Sequence, residues 1–257
     1  MRSQQIVTIA RFTVLEAWRT RLPWLFVVVL GLILGAAYFL QQLAITESTR
    51  LQIAFSAAVT RFAAVFILSL HILTSIVREF NDKGLELTLS FDIRRSYYIL
   101  GRLLGFALIA LLMAVIATLP QLLLAPLSAA LQWGISLALE LALMAALSLF
   151  CIVTFTQLMP AASFVFGFYL LARTLTAIRL MSDTPLFGGG TLTHQVATWL
   201  IDLLALVLPG LDRYTQSIWL SDHAAGWPAL AALALQTLLY IVLLGAAAMF
   251  DFYRRNL

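Results

Sequence analysis

Charge is what this chain has least of. Only 11% of its 257 residues are Asp, Glu, Lys or Arg, against roughly 25% in an average soluble domain. Hydrophobic residues make up 62%, and the mean hydropathy is +0.98. A globule this apolar lacks the polar surface to cover itself, so lipid must be the solvent for most of it. Cysteine is almost missing as well. A lone Cys151 excludes an intrachain disulfide, and inside its apolar run it reads as a small buried hydrophobe. No polar stretch is long enough to fold by itself, which leaves one membrane domain over 1–257.

What is present is a set of long apolar runs. Six reach the ~20 residues that cross a hydrocarbon core: Leu22–Leu40, Ile53–Val77, Leu103–Leu127, Ile135–Leu158, Ala162–Leu180 and Ala229–Phe250. The fold class expected is all-α, an integral membrane protein with six transmembrane helices. The first run begins only after Arg21 and has the length of a span rather than of a signal-peptide core, so it is expected to be a permanent helix. Val196–Leu208 is too short to span and ends at Pro209-Gly210, which predicts a re-entrant helix within the 181–228 connection before the last span. Pro120 and Pro126 are expected to kink or end the third span, and Pro160 to sit in a tight turn between the fourth and fifth.

Basic residues set the orientation. With both ends inside, eleven of the sixteen Lys and Arg residues flank the spans on the inner side. Three lie outside, and Arg61 and Arg173 fall within spans. Both termini are therefore expected in the cytoplasm of a bacterial inner membrane. The net charge of +4 reads as a topology signal, with no nucleic-acid partner. Before the first span, in 1–21, Gln4, Thr8, Arg11 and Arg19 share one helix face, and Ile6, Ala10, Val14, Ala17 and Trp18 share another. That predicts an amphipathic helix on the inner leaflet, in contact with membrane lipids.

The most informative stretch is the inner connection 78–102. It is too polar for membrane and too short for a domain. It sets charges among Phe80, Leu85, Leu87, Leu89 and Phe91, the make-up of a docking element with apolar anchors and a charged rim. The pattern Glu79, Gly84, Glu86, Leu87, Leu89, Ser90, Arg94 or Arg95, Tyr98, Leu100, Gly101, Arg102 and Gly105 resembles the first cytoplasmic loop of ABC transporter permeases of the type-2 exporter family. Phe91-Asp92-Ile93 departs from it, because that family usually has a proline there. Leu208-Pro209-Gly210-Leu211-Asp212-Arg213-Tyr214 is similar to a segment of the permeases associated with multicopper-enzyme maturation.

The resemblance implies a non-catalytic permease subunit. It would pair with a second permease copy or a paralogue, and each would carry an ABC ATPase subunit on its cytoplasmic face. ATP and Mg would be bound by that partner and no cofactor by this chain, which has no Gly-x-x-x-x-Gly-Lys-Ser/Thr element. Glu79, Phe80, Gly84, Leu85, Glu86, Leu89, Arg94, Arg95, Gly101 and Arg102 would form the ATPase-docking loop. The alternative for this loop is packing against its own N-terminal helix. Two other functions stay open: a membrane scaffold for a periplasmic partner protein, and a secondary transporter or channel.

Charged residues inside spans are costly and usually face protein or a wet cavity. Arg61, Arg173 and Glu140 are the candidates. Either both arginines line a pathway and meet an anionic group, or Arg61 pairs with Glu140 while Arg173 snorkels. His71 reads as a hydrogen-bonded core histidine. His194, Asp222 and His223 lie in an outer loop without a ligand spacing and carry no metal assignment.

Overall fold

The computed structural model describes residues 2–43, 48–82, 95–182, 199, 203–204, 208–215, 220 and 227–254. Seven long helices appear among them: α1 Arg2–Arg19, α2 Leu22–Leu43, α3 Ser48–Asn81, α4 Arg95–Leu124, α5 Leu127–Phe155, α6 Leu158–Ser182 and α7 Trp227–Arg254. A 3-10 turn covers Leu211–Thr215. Helices α2 to α7 are the six that are long and apolar enough to cross a membrane. The chain is an all-α, multi-pass membrane protein.

Helix α5 is the most deeply packed span, and it touches α3, α4, α6 and α7. In lipid the drive to bury apolar surface is weak, so close packing depends on small residues. Ala129, Ala130, Gly134, Ala145, Ala146 and Ser148 supply them on α5. At Gly134 a Cβ would run into the Thr118 hydroxyl of α4, so this glycine sets how near the two helices lie.

The helices run past the apolar limits read from composition. No polar break separates the third and fourth spans: α5 starts at Leu127, directly after Pro126, and Ala130 N–H donates to the Pro126 carbonyl at 3.0 Å. Pro126 therefore ends α4, as expected, whereas Pro120 is accommodated inside it. Pro160 lies inside the first turn of α6 and not in the turn itself. The reason is that a first-turn proline has no helical N–H bond to lose. The turn is made by Thr156, whose φ of 58° and N–H bond to Ile152 O close α5. Of the expected re-entrant helix Val196–Leu208, too little lies within the described residues to report more than its end, where Leu208 N–H donates to Leu204 O at 2.8 Å.

The N-terminal segment is helical, with one face against protein and Val7, Phe12, Leu15 and Trp18 exposed on another. Ala10, Thr13 and Ala17 are buried against α4. Gly101 and Gly105 of α4 form the notch: a Cβ at Gly101 would meet Ile9 Cβ at 2.6 Å, and one at Gly105 would meet Thr13 Cβ at 2.5 Å. Trp18, assigned by periodicity to that face, is 58% exposed.

Candidate functional site

Two polar clusters are built into the bundle, one at each end. The first lies at the α1 end and joins four helices. Glu79 in the last turn of α3 accepts a hydrogen bond from the Tyr98 hydroxyl at 2.7 Å and pairs with Arg102. Arg102 also donates to Glu16 of α1 at 2.9 Å and to the Thr13 hydroxyl at 3.3 Å. The Ser75 hydroxyl donates to the other Glu16 oxygen at 2.6 Å. Tyr98 stacks on Phe252 of α7 at 5.7 Å, and Arg95 donates to the Phe252 carbonyl at 3.2 Å. Nearby, the Thr154 hydroxyl of α5 donates to Asp251 of α7 at 2.6 Å.

The electrostatics of this cluster are balanced by design of the sequence around one arginine. Burial pushes the Glu16 carboxyl up, but the Ser75 hydrogen bond and the Arg102 guanidinium outweigh it and hold the group below its ordinary value of 4.5. Glu16 is thus a carboxylate at neutral pH. One guanidinium facing two carboxylates, fork to oxygen, is a stiff arrangement.

These contacts move several residues expected on the docking surface to the root of the loop. Glu79, Gly101 and Arg102 have partners inside the chain, on α1 and across the loop's two ends. Gly101 and Arg102 pack against the N-terminal helix, while both partners of Glu79 are on α4. Arg95 turns to α7, and Phe80 is a partly buried residue packed on the core. Gly84, Leu85, Glu86, Leu89 and Arg94 lie outside the described residues, in 83–94.

The second cluster is at the opposite end. Arg61 Nη1 of α3 pairs with Glu140 Oε2 of α5 at 2.7 Å, with side chains 2% and 0% exposed. Arg61 Nη2 donates to the Ser136 hydroxyl at 2.9 Å, and the guanidinium lies 5.1 Å from the Trp133 ring. Ser136 donates in turn to the Tyr214 carbonyl at 3.1 Å. Tyr214 is fully buried and its hydroxyl meets the Thr237 hydroxyl of α7 at 2.8 Å. The 211–215 turn is thereby pinned into the bundle over the ion pair. Glu140 Oε1 has no hydrogen-bond partner among the described residues.

Arg173 of α6 is separate from that pair. It donates to the Tyr169 hydroxyl at 2.6 Å and lies 5.9 Å from the Tyr169 ring. Of the two sequence readings, the Arg61–Glu140 pair is the one found, and no acid pairs with Arg173 among the described residues. His71 Nε2 has no hydrogen-bond partner among them either, against the expectation of a satisfied core histidine. The charges that act on this ring are Glu16, Arg102 and Arg78. No cluster of three metal-ligating side chains occurs among the described residues; His194, Asp222 and His223 lie outside them.

Sequence reasoning missed Glu16, Ser75, Ser136 and Thr237. Glu16 carried a signal: it is the only acid in α1. Comparison with protein-family models and with curated proteins gives no match for this chain.

Proposed function

We propose that this chain is the membrane-spanning subunit of an ATP-driven exporter, of the type-2 permease kind, with both termini in the cytoplasm of a bacterial inner membrane. ATP hydrolysis falls to a separate ATPase subunit. A second permease copy or paralogue completes the pathway, and a periplasmic protein is a further partner. The observation that carries the reading is the closure of the loop ends by Glu79 and Arg102. A docking loop transmits force only if its base is rigid. Here the base joins α1, α3 and α4, so a push on 83–94 would be delivered to two spans together. The loop's own composition, with Leu85, Glu86 and Leu89 in 83–94, supports the same reading.

The test is a pull-down of the tagged chain from native membranes after crosslinking, with wild type, Glu86→Arg and Leu89→Asp. Recovery of a nucleotide-binding subunit with wild type and its loss with either variant is the expected result. If no nucleotide-binding protein is recovered with the wild type, the reading fails, and a scaffold or channel takes its place.

A further inference from the structure

The seam between α3 and α6 presents a partly exposed aromatic wall with a cation at one end. Phe66 of α3 stacks on Phe166 of α6 at 4.6 Å, and one turn on, Phe62 meets Tyr169 at 6.1 Å. Phe62 and Phe66 are 46% and 41% exposed, so the ring wall is open at the bundle surface. Arg173 stands one further turn along α6, at the end of this wall. It lies 15 residues after Leu158, about 22 Å along the helix at 1.5 Å per residue, inside the depth of a ~30 Å hydrocarbon core.

A cation at that depth requires a partner. Arg61, another cation of this end, is paired with Glu140. Arg173 donates to the Tyr169 oxygen, which leaves its remaining guanidinium N–H groups as donors among the described residues. Tyr169 is 1% exposed, so its ring and hydroxyl are fixed. A guanidinium held at the end of an exposed aromatic wall complements an anionic head group on an acyl chain.

We infer that this seam binds an acidic phospholipid of the surrounding bilayer, with the phosphate on Arg173 and a chain along Phe62, Phe66 and Phe166. The inference does not rest on the transporter reading, since any membrane protein with this seam would select the same lipid.

The test is lipid retention by the purified full chain from nanodiscs of equal phosphatidylglycerol and phosphatidylcholine, read by native mass spectrometry. Wild type should retain phosphatidylglycerol over phosphatidylcholine by about tenfold, the equivalent of one charged hydrogen bond. Arg173→Gln should lose the preference and Arg173→Lys keep most of it. Arg254→Gln, at the far end of α7, should not change it. Equal retention of the two lipids by wild type overturns the proposal, as does a preference that survives Arg173→Gln. So does displacement by millimolar glycerol phosphate, which would make this a site for soluble anions. A preference unchanged by Arg173→Gln while a dimer falls to a monomer would give the seam to a second copy instead. Helix content and gel filtration of the Gln and Lys variants should match wild type, so that a lost preference is not a lost fold.

Discussion

Arg61 and Glu140 meet at 2.7 Å across α3 and α5 with almost no exposure to the outside. A buried pair of this kind contributes little net stability, because desolvation offsets the attraction, yet losing one partner strands the other. Glu140→Gln should therefore destabilise the bundle by about 3–5 kcal/mol. Arg61→Met with Glu140→Leu should be much less damaging than either single change. Thermal unfolding in detergent of the four combinations measures the difference. Equal costs for the double and the singles would mean that the pair is not a unit.

The glycine notch on α4 predicts an asymmetry among glycines. Gly101→Ala and Gly105→Ala force Cβ atoms into Ile9 and Thr13, and overpacking of this kind costs about 1–3 kcal/mol. Gly31→Ala and Gly35→Ala on α2 meet nothing within 4 Å and should be neutral or mildly stabilising. Limited proteolysis of α1 is the readout. Release of α1 by the first two changes and not by the second two is the expected pattern.

Acid should loosen the α1 end. The Glu16 pKa is held below 4.5 in the folded chain. A depressed carboxylate contributes stability that is fully present above its unfolded value and lost as the pH falls through the folded one. The charged and titratable groups that act on Glu16 are Arg102 and His71. Glu16→Gln should lower the melting temperature near pH 7 and converge on wild type as the pH falls through the lowered folded value. Parallel curves across that window would remove Glu16 from the acid response.

Tyr214→Phe deletes the hydroxyl that meets Thr237 and the Leu233 carbonyl. The expected loss is about 1 kcal/mol. Because the 211–215 turn is pinned through this residue, protease cleavage near Arg213 should also rise. A change in stability with no change in cleavage would show that other contacts hold the turn.

Cys151 is fully buried in α5, which makes the chain its own labelling control. A membrane-impermeant maleimide should leave the native protein unmodified and react only after denaturation. Against that background, Leu127→Cys should label from outside intact cells and Asp82→Cys only after disruption, if both termini are cytoplasmic. The reverse pattern would invert the topology.

The six spans were legible because hydropathy over ~20 residues is a local property. Their ends were not, since α3 and α5 continue as helix through residues too polar or too mixed to score. The Arg61–Glu140 pair was legible because a charge at membrane depth demands a partner and Glu140 was the only acid within the spans as read. The node on Arg102 was not: Glu16 and Glu79 reach it from 86 and 23 residues away, and only helix packing brings them together. That α1 seats on Gly101 and Gly105 was not legible either, because it depends on how two helices distant in sequence pack. Tyr214 stood in a recognised segment, but nothing local to it announces that its side chain enters the bundle.

Residues 61 and 79 are 18 apart on α3, which at about 3.6 residues per turn is about five full turns, or 27 Å. Arg61 and Glu79 therefore lie on one meridian of the same rod. Both are held by charge, one by α5 and the other by α4. A helix fastened twice along one line cannot spin about its axis without parting both fastenings together. Tilting about either end needs only one to yield. Any working stroke that passes through α3 is thus confined to a swing, with the meridian of Arg61 and Glu79 as its hinge side.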